Sequence, residues 1–311
     1  MTELVLHHYA GSPFSHKVRL VLGYKGLAWR SVSVPVMLPK PDVVALTGGY
    51  RRTPFLQVGA DIYCDSALMC RVIEARAPQP TLWPAETRGL ADIVAQWADS
   101  ALFWAAVPYT LQPAGAQHIF QGAPPEFLSA FRADRAAMTT GMRRPTTVDA
   151  RAQVTTYFER LEQMLADGRR HLLGVAACIA DFSVAQSIWY LHRAPPIAAE
   201  LAPYPKLLAW YGRMAAIGEG TPTPMTSAEA ITLCAATATH ATHAPCAVEP
   251  GSGFEAGAAV RVNASDYAAD VVGGTLVGLS RDAVTIQRDD PRAGRVHVHF
   301  PRIGFQLQAA D

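Results

Sequence analysis

The rhythm of hydrophobic and polar positions changes three times along the chain. Over residues 1–78, strand-length and helix-length patterns alternate. Leu4 to Tyr9 is an apolar run of strand length, broken by Gly11. From Pro13 onward Phe14, Val18, Val21 and Leu22 fall at i, i+4, i+7 and i+8, one face of a helix. Trp29 to Val36 reads as a second strand and Pro39-Lys40-Pro41 as a loop. Phe55–Val58 and Ile62–Cys64 read as a hairpin turning at Gly59-Ala60. A helix follows from Ser66, with Leu68, Val72 and Ile73 expected to point inward. The order βαβ then ββα predicts a small α/β sandwich whose first two strands are parallel, because such crossovers are right-handed.

From residue 86 to about 240 the period becomes helical. Windows at 88–108, 126–140, 148–167, 181–193, 205–217 and 226–239 are separated by Pro or Gly punctuation and predict an all-helical bundle. Residues 241–254 are small, with Pro and Gly, and read as a linker. Beyond it five short strands are expected at Ala259–Val262, Gly274–Leu279, Val284–Arg288, Arg295–Phe300 and Gly304–Leu307. Strands so short and close predict a small all-β barrel of SH3-like topology, closed so that no edge is exposed. The expected domains are therefore 1–80, 86–240 and 254–311.

Composition narrows the function. Half of the 311 residues are hydrophobic and 17% are charged, enough apolar material for a large core and too little charge for a disordered chain. A net charge of +1 without basic-aromatic interleaving gives no footing for nucleic acid. No window approaches a membrane span, and the N-terminus lacks the basic and apolar regions of a signal peptide. The five cysteines, Cys64, Cys70, Cys178, Cys234 and Cys246, show neither CxxC spacing nor disulfide-scaffold density, so a reducing cytoplasm is the expected setting.

Three short segments carry chemistry. In Ser12-Pro13-Phe14-Ser15 a serine stands where a strand turns into a helix with Pro at its first position. That serine caps the helix, and its hydroxyl also lies at the positive end of the helix dipole, where it can donate to a bound thiolate. Arg51-Arg52-Thr53-Pro54 places a proline at the opening of a strand, which suits an edge. Asp65-Ser66 precedes the next helix; it is a cap, and also an anion site with a carboxylate beside it.

Taken in order, these segments resemble glutathione transferases. SPFSHKVR, with Arg19 seven residues after Ser12, is similar to the active-site segment of the serine-dependent tau and zeta groups. The resemblance implies a thioredoxin-like N-terminal domain followed by the helical bundle. It also implies glutathione as co-substrate, with Ser12 facing the sulfur as the catalytic residue. The residue before a cis proline, here Thr53 before Pro54, would offer its backbone to the cysteinyl part. Asp65 and Ser66 would hold the γ-glutamyl end, with Asp65 a shorter form of the usual Glu or Gln. Lys40 is placed to pair with the glycyl carboxylate, or else is a solvated surface lysine. The segment also overlays the CPxC of glutaredoxins, with Ser12 and Ser15 in place of both sulfurs, which argues against thiol–disulfide exchange.

In this architecture an apolar electrophile packs between the 88–108 helix and the sulfur. Trp97, Phe103, Trp104 and Tyr109, with Leu102 and Val107, are its expected wall, although core residues share such spacing. Tyr9 is the rival for contacting the thiol. Cys178 replaces the hydroxyl of a Ser/Thr-Ile-Ala-Asp capping box, leaving Asp181 as a structural cap. The resemblance also implies a homodimer, with the N-terminal domain of one subunit against the helical domain of the other. It does not cover the C-terminal strands. There His297 and His299 share a strand face, but Asp289, Asp290 and His243 supply no persuasive third ligand and no metal is expected. Conjugation of a small hydrophobic electrophile is the expected activity. A binding or sensing protein whose barrel docks a partner, and a glutathione-dependent isomerase or dehalogenase, are the alternatives.

Overall fold

Strand and helix alternate at the start of the chain because their apolar periods do. The computed structural model describes residues 2–237 and 247–310. The first elements are β1 (Val5–His8), α1 (Pro13–Tyr24), β2 (Ala28–Ser33), α2 (Pro41–Thr47), β3 (Phe55–Val58), β4 (Asp61–Cys64) and α3 (Ser66–Arg76). β1 pairs parallel with β2 and antiparallel with β3, which forms the hairpin with β4. The stretch expected as a loop at Pro41 instead starts α2. Its proline takes the first helical position, where no N–H is needed, and Gly48 ends the helix at φ 77°. α3 turns Met69, Cys70 and Ile73 inward, while Leu68 and Val72 stay half-buried. The inward face includes Ile73 as expected but is otherwise made by Met69 and Cys70.

The bundle comprises α4 (Arg88–Trp97), a π-helical turn at Ala98–Leu102, α5 (Phe103–Thr110), α6 (Pro113–Ile119), α7 (Pro125–Met138), α8 (Thr147–Met164), α9 (Ile179–His192), α10 (Pro195–Ala198) and α11 (Pro205–Ala215). α9 is buried along almost its whole length and packs on α1, α4 and α5, as a helix apolar on all sides must. Asp181 fixes its start. The carboxylate accepts from the backbone N–H of Cys178 and of Leu172, each at 2.9 Å, and from Trp210 Nε1 at 2.8 Å. The Cys178 thiol donates to Asp181 at 3.3 Å, so the box keeps two contacts without a hydroxyl.

After the bundle the chain returns to the sheet. β5 (Thr221–Pro224) pairs parallel with β2, and α12 (Ser227–Thr237) packs on α2 and β2. Within the 226–239 window the described helix, Ser227–Thr237, therefore covers the sheet and is not a bundle helix. β5 reads Thr-Pro-Thr-Pro and is fully exposed, with no apolar alternation to announce it; two prolines are tolerated there because it is an edge strand.

The C-terminal strands are β6 (Ala259–Ala264), β7 (Val272–Leu279), β8 (Ala283–Asp290), β9 (Gly294–Pro301) and β10 (Phe305–Ala309). All five expected strands are present, but they do not close into an SH3-like barrel. They form an open antiparallel set, and β9 joins β4 in parallel, giving one ten-stranded sheet in the order β10-β6-β7-β8-β9-β4-β3-β1-β2-β5. The edge problem is solved by pairing instead of closure: β4, buried at all four positions, would otherwise present an unpaired apolar edge. Across this seam His299 Nε2 donates to the buried Asp61 carboxylate at 2.8 Å, and His297 Nδ1 lies 3.7 Å from the same oxygen. One continuous core runs through all of these layers. Among the described residues no helix is long and apolar enough to cross a membrane. Cys246, His243 and much of the expected linker lie outside the described residues.

Candidate active site

A cleft of about 330 Å³ lies where the start of α1, the loop before β3, α5 and α7 meet. Ser12 sits on its wall, 2% exposed, in an extended conformation that makes it the N-cap of α1. Its Oγ accepts from Ser15 N–H at 3.2 Å and donates to the Thr53 carbonyl at 3.4 Å. The Thr53–Pro54 peptide is cis, and Thr53 also lines the cleft.

Lys40 is not a solvated lysine. It is 4% exposed, and its Nζ donates to the Arg51 carbonyl at 3.1 Å and to Thr53 Oγ1 at 3.3 Å. Burial, reinforced by the Arg135 and Arg51 cations, lowers its pKa to about 8.

Asp65 and Ser66 do not line the cleft. Asp65 caps α3, accepting from Ala67 N–H at 2.9 Å, and its own N–H donates to Tyr50 Oη at 3.2 Å. Ser66 Oγ accepts from Lys17 Nζ at 3.3 Å, and that fully buried ammonium pairs with Asp99 of the π-helical turn at 2.5 Å. Burial favours the neutral amine, yet the Asp99 carboxylate outweighs it and holds the Lys17 pKa above its ordinary value. Lys17 thus fastens the first helix to the bundle; Gln186 of α9 donates to the other oxygen of Asp99 at 2.6 Å.

Of the expected electrophile wall, Phe103 and Trp104 line the cleft, and Trp97 and Tyr109 do not. Trp97 packs edge-on against Tyr157, ring centres 5.1 Å apart, and Tyr109 Oη donates to Glu200 at 2.5 Å. The π-helical turn between Trp97 and Phe103 inserts an extra residue and rotates the face that follows. From there Trp104, Val107, Pro108 and Leu111, at i, i+3, i+4 and i+7, face the cleft. Phe14 meets Phe103 with ring centres 4.7 Å apart, and Tyr9 also lines the wall.

Residues to which the sequence assigns no role also line the cleft, among them Arg51, Arg52, Arg135, Arg144 and Tyr267. Tyr267 comes from the loop between β6 and β7. Arg52 lies over its ring at 3.9 Å and bonds both its carbonyl and the Asp266 carboxylate. The period of α5 could have found the Trp104–Leu111 face, but no local signal marks Tyr267. The two histidines of β1 are excluded as acid–base groups near neutrality, since burial lowers the pKa of both His7 and His8 to about 4. His299 is engaged by Asp61 and by Thr285 Oγ1 at 2.9 Å, and among the described residues no cluster of three metal-ligating side chains occurs.

This geometry agrees with what the chain is similar to. Residues 6–81 match the glutathione S-transferase N-terminal domain, and residues 139–219 match the C-terminal domain. A GST-like protein from Pseudomonas syringae shares 38% identity over 100% of both chains, with a TM-score of 0.81, so the match takes in the appended strands. A glutathione S-transferase from Rhodospirillum rubrum F11 (20% identity, 68% of this chain and 86% of that one, TM-score 0.53) shares the fold. So does the beta-etherase LigF from Sphingobium sp. strain SYK-6 (20% identity, 70% and 96%, TM-score 0.52). No curated protein sequence matches the chain. With both family domains in register and a full-length relative, the chain belongs to the glutathione S-transferase family.

Proposed function

We propose that the chain binds glutathione with its thiol at Ser12 and transfers the thiolate to a small electrophile held by Phe103 and Trp104. The observation that carries this is the Ser12 hydroxyl, buried at the start of a 12-residue helix and shared between Ser15 N–H and the Thr53 carbonyl. A thiol of ordinary pKa, about 8.5, is mostly protonated at pH 7. A hydroxyl donor and the helix dipole both favour the thiolate, together by about one to two pK units. Thr53 would bind the cysteinyl backbone, with Pro54 fixing its turn. The Lys40 ammonium, with no carboxylate among its hydrogen-bond partners in the described residues, suits the glycyl end. Asp65 and Ser66 at the α3 terminus remain the acceptor and donor for the γ-glutamyl group, reached by a ligand that extends past the cleft wall.

The reading assigns residues 1–80, 86–240 and 254–311 to a thiol-binding, an electrophile-binding and an accessory unit. It also takes the working form to be a homodimer, as the family suggests. The free, buried Cys64, Cys70, Cys178 and Cys234 fit a reducing cytoplasm. The test pairs conjugation of an aryl halide with retention on immobilised glutathione. Retention with turnover is the expected result; retention without turnover would make this a binding protein, and the absence of both would overturn the site.

A further inference from the structure

Among the described residues five cations line the cleft, Lys40, Arg51, Arg52, Arg135 and Arg144, and no carboxylate does. Two acids pair with them: Asp134 bridges Arg51 and Arg135, and Asp266 pairs with Arg52. Glutathione set at Ser12, with its glycyl end on Lys40, would leave Arg135 and the exposed Arg144 facing the second half of the cleft. Aromatic rings line the same cleft. Trp104 meets Tyr267 edge-to-face at 5.1 Å, and Phe131 lies 4.7 Å under the Arg135 guanidinium.

Tyr267 is held firmly. Arg52 stacks on it and bonds its carbonyl, and the next residue, Ala268, donates its N–H to the Met138 carbonyl at the end of α7 at 2.7 Å. A wall fixed in this way orders nothing further when a ligand arrives, which lowers the cost of binding. Cations beside apolar rings favour one ligand chemistry: a flat apolar body ending in an anion.

We propose that the second ligand of this cleft is an aromatic acid, its ring against Trp104 and Tyr267 and its anionic group on Arg135 and Arg144, with Tyr267 of the appended sheet a binding residue. This rests on the reading that places glutathione at Ser12. It gives the C-terminal strands a direct part in substrate choice, beyond covering the edge of β4.

The experiment is calorimetric titration of the full chain, free and saturated with S-methylglutathione, using dinitrobenzoate and the uncharged dinitrobenzene. The acid should bind at least about ten-fold tighter, the worth of one charge-assisted contact. That preference should fall toward unity in Arg144→Ala and in Arg135→Met. Tyr267→Leu should weaken both ligands together, and Tyr267→Phe neither. Equal affinity for the two compounds, a preference surviving both arginine variants, or unchanged affinities in Tyr267→Leu would overturn the proposal. Failure to bind S-methylglutathione would sink the glutathione reading alone, because the acid-to-neutral ratio is still read on the free protein.

Discussion

Replacing Ser12 by alanine removes two hydrogen bonds with separable consequences. Oγ accepts from Ser15 N–H at 3.2 Å, so the substitution uncaps α1, which costs about 1 kcal/mol of stability. Oγ also donates, in the free protein to the Thr53 carbonyl at 3.4 Å, a long bond that a thiolate displaces at little cost. A hydrogen bond to a charged acceptor contributes about 1.5–3 kcal/mol. After subtracting roughly 0.5–1 kcal/mol for the bond surrendered to Thr53, about 1–2 kcal/mol remains, near one pK unit. The bound thiol of Ser12→Ala should therefore titrate about one unit higher than in the native protein. Below the native thiol pKa, kcat/KM should be about ten-fold lower. The sign is fixed by which state the hydroxyl favours: it lowers the thiol pKa, so the loss is full at acidic pH and fades once the thiol ionises in both proteins. Ultraviolet titration of the bound thiolate and a pH profile of conjugation read the two quantities. Ser12→Thr, which keeps the hydroxyl, should restore both. If Ser12→Ala loses only thermal stability, the residue is a helix cap and nothing more, and Tyr9→Phe becomes the decisive variant.

Other perturbations report on the scaffold and on the glycyl subsite. Asp181→Ala strands four buried donors, the N–H groups of Leu172, Cys178 and the Trp210 indole and the Cys178 thiol, and should cost about 3–5 kcal/mol in denaturant unfolding. Asp99→Ala leaves the fully buried Lys17 ammonium without its counter-ion and should cost a similar ~3–5 kcal/mol, much of it recovered in Lys17→Met/Asp99→Leu. Lys40 should give S-methylglutathione binding a pH dependence of its own. Only the ammonium attracts a carboxylate, so affinity should fall as pH rises through about 8, and Lys40→Arg should abolish that fall. Because burial lowers the Lys40 pKa, the free protein should itself gain stability as pH rises from about 8 toward the ordinary lysine value.

What the sequence discloses here is local. β1, the Ser12 turn, the β3–β4 hairpin and the caps at Asp65 and Asp181 are set by residues within a few positions of one another, and their periods and capping chemistry read directly. The π-helical turn after Trp97 is less legible, since one extra residue changes which ring faces the cleft without altering the apolar count, and Trp97 and Tyr109 fall off the wall. β5 was invisible because an exposed Thr-Pro-Thr-Pro edge carries no hydrophobic alternation.

The barrel expectation failed for a different reason. Five short strands need their edges covered, and a sequence does not say whether they cover one another or a distant partner. Here β9 pairs with β4, and the bond that locks the seam, His299 to Asp61, joins positions 238 residues apart. Once that seam exists, the loop between β6 and β7 is carried to Arg52, and Arg52 is adjacent in sequence to Thr53. The appended strands therefore reach the Ser12 cleft through Arg52, which holds Tyr267 on one side and precedes the cis Thr53–Pro54 turn on the other, as well as through the Tyr267–Trp104 ring contact. A substitution at Arg52 should accordingly disturb the aromatic wall and the Thr53 backbone together, whereas Tyr267→Leu should disturb the wall alone.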